Sequence, residues 1–171
     1  MTIRRAGRDD VAAVLGLLDG ATEWLVARGR TDQWGTEPHS TSPRRVAQIT
    51  GFADEEDGLW VAEADGRVVG ALAVGAAMPY VPAPEEPELY VRLLVTDRAS
   101  AGQNLGGLLL DHARKLARAA GVGMLRVDCF AGGDGALVRY YEKQGFTRDV
   151  EFGVPRANDS DWPGQVLVQR L

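Results

Sequence analysis

Residues 88–120 most restrict the fold, because a strand-like run, a glycine-containing loop and a helix-like run follow one another there. Residues 88–96 have the β-branched and aromatic composition of a strand. Residues 105–120 place side chains at helical spacing along one face that we expect to be buried: Leu105, Leu108, Leu109, His112, Leu116 and Ala120. Backbone N–H groups at the positive end of such a helix bind phosphate groups. The segment therefore predicts an anion-binding loop between a strand and a helix.

The loop itself reads Ala101-Gly102-Gln103-Asn104-Leu105-Gly106 and is followed by Gly107. We expect Gly102, Asn104, Gly106 and Gly107 to adopt positive φ or to bring backbone close to a ligand. Asn is the residue other than glycine that best tolerates left-handed backbone. The P-loop pattern G-x-x-x-x-G-K-[ST] and the dinucleotide pattern G-x-G-x-x-G are both missing. The loop alone therefore does not identify its ligand. The alternative to a phosphate site is a turn whose glycines serve only packing.

Strand-like and helix-like runs alternate along the rest of the chain, as in α/β proteins. Asp65-Gly66 lies between two β-branched runs and predicts a hairpin of residues 59–64 and 67–74. Ser42-Pro43 predicts the N-cap and first turn of a helix that ends near Asp54.

Further elements follow from periodicity and from glycine and proline positions. An apolar stripe predicts a helix that is capped by Asp9 or Asp10, and a second helix is expected at residues 134–144. Further strands are expected at residues 2–5, 122–130, 146–152 and 165–171. Residues 28–41 and the four-proline stretch 78–87 are expected to be irregular.

Length and composition indicate one globular domain spanning residues 1–171, since 45% of the residues are hydrophobic and 25% are charged. A net charge of -5 argues against a nucleic-acid partner. The single cysteine, Cys129, excludes an internal disulfide and favours the cytoplasm. No apolar run is long enough for a membrane helix, and His39 and His112 lie too far apart for a metal motif. We therefore expect a cytoplasmic protein without membrane contact and without a metal.

Residues 134–146 read Asp-Gly-Ala-Leu-Val-Arg-Tyr-Tyr-Glu-Lys-Gln-Gly-Phe and follow the loop by the length of a helix and a strand. The loop and this block together resemble the GNAT superfamily of N-acetyltransferases. That family has a [QR]-x-x-G-x-[GA] loop before a leucine-rich helix, and later N-x-x-A-x-x-L-Y-E-K-x-G-F. The sequence departs from the pattern at Ala101, at Asn104 and at Asp134, where the family has Arg or Gln, Gly, and often Asn. Arg98 is a candidate to replace the missing cation.

The resemblance implies a mixed α/β GNAT fold. Its central, mostly antiparallel, twisted sheet has six to seven strands, is flanked by about four helices and is splayed at the coenzyme A (CoA) site. It implies acetyl-CoA as co-substrate and direct transfer of the acetyl group to a primary amine in a ternary complex. The residues implied to contact the cofactor are Leu94, Val95, Ala101, Gly102, Gln103, Asn104, Leu105, Gly106, Gly107 and Asp134.

The resemblance also assigns catalytic roles. Tyr141 aligns with the family's general acid, and Tyr140 is then expected to be a core tyrosine. Glu88 lies thirteen residues before Ala101, where some members carry a basic glutamate. Strand alternation places Glu88 on one face with Arg92, so an ion pair or a strand cap is the alternative role. Deprotonation of the amine through water is a further alternative.

Acceptor contacts are expected in the two irregular segments, because binding residues concentrate on loops. Trp34, Glu37 and Tyr80, with Glu85 and Glu86, predict an aromatic and acidic pocket for a cationic amine, most simply that of a small molecule. A solvated loop with one buried Trp is the alternative.

Cys129 and His112 are expected to be core residues. A non-catalytic acyl-CoA-binding module and a nucleotide-binding α/β protein are the competing functions. The sequence leaves the identity of the amine and the oligomeric state open, with a homodimer as one candidate.

Overall fold

The computed structural model describes residues 1–157 and 160–171. In this part of the chain it is a mixed α/β structure with one mostly antiparallel sheet of seven strands and four α-helices, which confirms the predicted fold. The strands are β1 Thr2–Arg5, β2 Leu59–Ala64, β3 Arg67–Gly75, β4 Leu89–Thr96, β5 Met124–Phe130, β6 Thr147–Val154 and β7 Trp162–Arg170. The helices are α1 Val11–Val26, α2 Pro43–Asp54, α3 Leu105–Ala119 and α4 Ala136–Lys143. The hydrogen-bonded strand order is β1-β2-β3-β4-β5-β7-β6.

The chain forms two compact units. The first comprises Met1–Val74 and Leu93–Ala113, and the second comprises Gly75–Arg92 and Arg114–Leu171. Strand β4 and helix α3 each contribute residues to both units. No helix of the described residues is long and apolar enough to cross a membrane.

The first unit contains the predicted hairpin. Strands β2 and β3 pair antiparallel, and Asp65 and Gly66 between them have φ of 51° and 73°, as a two-residue turn with left-handed backbone requires. Strand β1 pairs with β2 on the other side. Buried side chains of α1, α2, β2 and β3 form the hydrophobic core of this unit.

Both predicted caps in the first unit lie at the start of a helix. The hydroxyl of Ser42 accepts a hydrogen bond from the backbone N–H of Arg45, which confirms the N-cap of α2. Asp10 immediately precedes α1 but caps no N–H of that helix. A short 3-10 turn comes first, so the Asp10 carboxylate accepts the backbone N–H of Gly7 at 3.0 Å and pairs with Arg4.

The second unit contains β5, β6 and β7, with β7 paired antiparallel to both of its neighbours. Strand β5 also pairs with β4 in parallel, in a register that runs from Leu89 opposite Leu125 to Val91 opposite Val127. Beyond these pairs β5 continues to Phe130. Asp128 is therefore the first residue of β5 after its pairing with β4 ends.

The buried face of α3 differs from the prediction. The side chains that are buried belong to Leu105, Leu109, Leu110, Ala113 and Ala117. Leu108 is 37% exposed and Ala120 is exposed, so these two residues were placed on the wrong face. Three consecutive leucines leave the phase of an apolar stripe ambiguous, and small alanines let the helix pack closely. Leu109 approaches Gly70 of β3 so closely that a Cβ there would lie 3.0 Å from its Cδ1.

Candidate active site

The glycine-containing loop before α3 adopts the backbone that the sequence predicts. Gly102 has φ of 87° and Asn104 has φ of 53°. Residues 101–104 are exposed to solvent. A Cβ at Gly107 would collide with the amide group of Asn104, so glycine is needed there to accommodate a neighbouring side chain. Gly106 and Gly107 do not adopt positive φ, and the approach of their backbone to a ligand stays a prediction.

The first turn of α3 offers donors to an anion. The N–H of Leu108 donates to the carbonyl of Asn104 at 3.1 Å. The N–H groups of Leu105, Gly106 and Gly107 precede that bond and have no acceptor within the helix. No acidic side chain lies in the first turn of α3. Donors at the positive end of a helix, without a competing carboxylate, fit the phosphate groups of CoA.

Arg98, three residues before the loop, shares the ring of Trp24 with a second guanidinium group. Arg98 belongs to the 3-10 turn Arg98–Ser100, and its Cζ lies 3.7 Å from the centre of the Trp24 ring. Arg28 lies 3.9 Å from the same ring. Burial and the neighbouring charge of Arg28 both lower the pKa of Arg98. The family pattern has its cation at the position of Ala101. In this chain the positive charge of Arg98 lies three residues earlier.

The predicted thioester-binding residues lie late in β4. Val95 is buried in the core of the first unit, and Leu94 is half-buried. Both follow Val91, the last residue of β4 that pairs with β5. The Val95 side chain thus belongs to the packing of the unit, so a role of Val95 in cofactor binding falls to its backbone.

Helix α4 buries Tyr141, which is 5% exposed, whereas Tyr140 is half-buried. The expectation that Tyr140 is the core tyrosine was therefore wrong, because the sheet contacts the turn of α4 that carries Tyr141. The ring of Tyr141 lies edge-on to Tyr140 and to Phe146. Burial raises the pKa of Tyr141 well above its ordinary value, with Cys129, Tyr140 and Asp128 adding to the effect. The hydroxyl is therefore protonated at neutral pH, as a general acid must be.

Asp134 lies two residues before the first residue of α4 and accepts a hydrogen bond from it. Its carboxylate accepts the N–H of Ala136 at 3.0 Å and lies 4.0 Å from the guanidinium of Arg139. Gly135, between them, has φ of 72°. The side chain implied to contact the cofactor thus has a local structural task in this chain.

Glu88, the candidate base, is engaged in a buried ion pair. Its carboxylate accepts hydrogen bonds from Nε and Nη2 of Arg126, and the two side chains are 5% and 4% exposed. The third nitrogen of Arg126 donates to the carbonyl of Pro82 at 3.0 Å. The sequence analysis gave an ion pair with Arg92 as an alternative role of Glu88, but the observed partner is Arg126. A carboxylate that is fixed in this way favours a structural role over proton abstraction.

Asp128 is a candidate that the sequence reasoning missed. It is half-buried, and its Oδ1 accepts the hydroxyl proton of Tyr90 at 2.6 Å. Burial raises the pKa of Asp128, against the opposing effects of Tyr90 and Arg126. The sequence feature that could have indicated Asp128 is an acidic residue within the mostly apolar strand Met124–Phe130. Cys129 beside it is buried, and burial raises the pKa of its thiol to about 12, which fits the expected core role.

The predicted acceptor residues belong to different units. In the first unit, Trp34 packs against the core with its ring edge-on to His39 at 5.2 Å, and Glu37 is exposed. In the second unit, Tyr80 is 46% exposed and stacks on Phe152 at 5.6 Å between ring centres. Packing against the core favours a structural role for Trp34, whereas the exposed Tyr80 ring is available to a ligand.

His112 lies on α3, half-buried, with its ring 4.3 Å from that of Trp60. This contact agrees with the expected packing role. Within residues 1–157 and 160–171 no group of three His, Cys, Asp or Glu side chains is arranged to hold a metal ion.

Comparison with known proteins identifies the family. The sequence profile of the Acetyltransferase (GNAT) family matches residues 20–146, well over half of the chain. The chain belongs to the GNAT acetyltransferase family. This confirms the resemblance predicted from the loop and from residues 134–146. No curated protein matches the chain significantly.

Solved structures agree with this GNAT fold. A ribosomal-protein-alanine N-acetyltransferase from Brucella melitensis is 21% identical, with a TM-score of 0.71 over 100% of both chains. A putative phosphinothricin N-acetyltransferase is 21% identical, with a TM-score of 0.69 over 99% of this chain and 98% of its own. A putative acetyltransferase from Salmonella typhimurium, solved with its cofactor acetyl-CoA, is 20% identical, with a TM-score of 0.68 over 100% of this chain and 94% of its own. At these identities the likeness concerns the fold.

Proposed function

We propose that this GNAT protein transfers the acetyl group of acetyl-CoA directly to the primary amine of a small molecule within a ternary complex. One observation carries the proposal. The left-handed residues Gly102 and Asn104 lead into a first helical turn whose N–H groups have no acceptor within the helix and which carries no acidic side chain. Such a turn suits the pyrophosphate of CoA.

The proposed roles follow from the chemistry of amide formation. The N–H groups of Leu105 to Gly107 hold the pyrophosphate, and Arg98 supplies the charge that Ala101 lacks. Backbone groups of Leu94 and Val95 bind the pantetheine arm and polarise the thioester carbonyl. Tyr141 donates its hydroxyl proton to the departing thiolate. A phenol is protonated at neutral pH, as the acid must be before transfer begins.

A non-catalytic acyl-CoA-binding module is the competing function. The departures at Ala101 and Asn104 favour it, since both replace residues of the family's phosphate-binding pattern. Retention of Tyr141 at the position of the family's general acid favours catalysis. The two functions differ in one property, because the module would bind the cofactor without turnover.

The test combines binding with turnover. Isothermal titration calorimetry measures the affinity for CoA, with ATP and NAD as control ligands. Release of the CoA thiol is followed colorimetrically with acetyl-CoA and a panel of polyamines, amino acids, simple alkyl and aryl amines, aminoglycosides and peptides. We expect CoA to bind and at least one small amine to be acetylated. Binding of CoA without turnover would indicate the module, and no affinity for CoA would reject the placement of the pyrophosphate.

A further inference from the structure

We propose that Asp128 binds the acceptor amine and removes its proton, and that an aromatic surface on the same sheet face selects amines with an apolar carbon body. This inference rests on the proposed transferase function and names the acceptor class of that reaction. The aromatic surface, called the aromatic wall below, consists of Tyr80, Phe130, Phe152 and Trp162. All these residues belong to the second unit.

The strand register places Asp128 and the wall on one face. Alternate residues of a strand point to the same side, so Asp128 and Phe130 share a face of β5, about 7 Å apart. Asp128 lies opposite Val166 of β7, and Phe130 lies opposite Gly164. Tyr90, which donates to Asp128, packs with Val166, and Phe152 packs against the same cluster. The carboxylate and the aromatic rings therefore lie on one face of the sheet.

The charge of Asp128 has no compensating ion pair in the part of the chain that the structure describes. The other carboxylates buried or half-buried near cations are paired, as Glu88 is with Arg126 and Asp97 with Arg67. Arg126 lies close enough to influence Asp128, but its three nitrogens donate to Glu88 and to Pro82. A desolvated carboxylate without a cationic partner is costly. The ammonium group of an acceptor would offset that cost.

The aromatic wall is built from ring contacts and one glycine. Tyr80 stacks on Phe152 with an interplanar angle of 29°, and Trp162 lies 5.6 Å from Phe130 and 6.1 Å from Phe152. A Cβ at Gly164 would overlap the ring of Phe152, so glycine makes room for that ring. Tyr80 is 46% exposed, and Phe152 and Trp162 are half-buried. Partly exposed rings on the same sheet face as a carboxylate suit an ammonium group carried on apolar carbon.

The proton balance of the step is simple. The acceptor enters as an ammonium ion, and the carboxylate of Asp128 takes one N–H proton. The nitrogen lone pair then forms the C–N bond to the acetyl carbon, and the C–S bond breaks with its electron pair on sulfur. Tyr141 protonates that sulfur, and the second N–H proton restores the phenol. Asp128 passes its proton to solvent, so each turnover releases one proton.

The titratable groups near Asp128 are compatible with a base there. Tyr90 of β4, Arg126 and Cys129 of β5 and Tyr141 of α4 are its titratable neighbours, and β7 presents the apolar Val166. Burial is the largest influence and raises the pKa of Asp128. A carboxylate with a raised pKa is a stronger base than one in water.

The test uses Asp128→Asn, because asparagine keeps the size of the side chain and an oxygen that can accept from Tyr90. The acceptor probe is 2-phenylethylamine. We expect kcat/KM near neutral pH to fall by about 10²-fold or more, with the affinity for CoA unchanged. The loss should shrink at higher pH, where solvent already deprotonates the amine. Glu151→Gln, which changes an exposed carboxylate of β6, is the matched control and should leave kcat/KM unchanged.

Two comparisons test the selectivity. Phenylalanine carries the same ring and amine with an added carboxylate, which Asp128 would repel, so the wild type should use it at least about tenfold less well. Phe152→Leu should raise KM for 2-phenylethylamine severalfold, because it removes one ring of the wall.

An unchanged kcat/KM and pH profile in Asp128→Asn would overturn the proposal, as would equal use of phenylalanine and 2-phenylethylamine. If the wild type binds CoA but acetylates no amine, the transferase function fails by itself. Calorimetric binding of 2-phenylethylamine to the CoA-loaded protein then still tests the amine site. Binding that is weakened about tenfold in Asp128→Asn would support it, and equal or absent binding would reject it.

Discussion

The guanidinium of Arg126 donates two hydrogen bonds to the carboxylate of Glu88, and each side chain is about 95% shielded from solvent. The same guanidinium donates to the carbonyl of Pro82. One ion pair thus joins the residue before β4 to the middle of β5 and fixes the irregular segment between β3 and β4.

Replacing Glu88 by alanine should therefore act on stability. The change leaves the Arg126 charge buried without its partner, so the free energy of unfolding should fall by about 3–5 kcal/mol. Urea denaturation measures this loss. Glu85→Ala, which removes an exposed carboxylate nearby, should change the free energy of unfolding by less than about 0.5 kcal/mol. A stable Glu88→Ala protein with a strongly reduced kcat would instead restore Glu88 as a base.

Tyr141→Phe should lower kcat by about 10²-fold or more, because the departing thiolate loses its proton donor. The affinity for CoA should stay the same, since the phenyl ring keeps the packing against Phe146. Steady-state kinetics and calorimetry give the two quantities. Tyr140→Phe removes the neighbouring, half-buried hydroxyl and should retain most of the activity. Equal rates for both variants would remove Tyr141 from the role of acid.

Gly106→Asp should abolish CoA binding, because a carboxylate in the first turn of α3 would repel the pyrophosphate and occupy its place. Calorimetry with CoA measures the change. Gly123→Asp is the control, since Gly123 is exposed, has open space around its Cα and lies before β5. Normal affinity in Gly106→Asp would reject the placement of the cofactor.

Asp128→Asn should be more stable than the wild type near neutral pH, because it removes a desolvated charge. Burial raises the pKa of Asp128, so the folded state binds this proton more tightly than the unfolded state. The wild type therefore gains stability from this group as the pH falls through the raised pKa. The advantage of the variant should shrink on acidification and vanish below about pH 3.8. Urea denaturation of both proteins from neutral pH to about pH 4 follows this difference. A constant difference over that range would contradict the raised pKa.

Local features of this protein could be predicted from the sequence because a few neighbouring residues decide them. Asp65-Gly66 determines the hairpin, and Ser42 caps α2, through contacts that span four residues or fewer. Positive φ at Gly102 and Asn104 is also a local backbone preference. The family itself followed from two short blocks, since their residue types and spacing are specific.

The tertiary structure alone decided which side chains meet. Glu88 and Arg126 are 38 residues apart, as are Tyr90 and Asp128, and their pairing depends on the register of β4 against β5. That register is not encoded in either strand by itself. Packing of the whole chain likewise set the phase of α3 and buried Tyr141 in place of Tyr140, because burial depends on the partner surface as well as on helical periodicity.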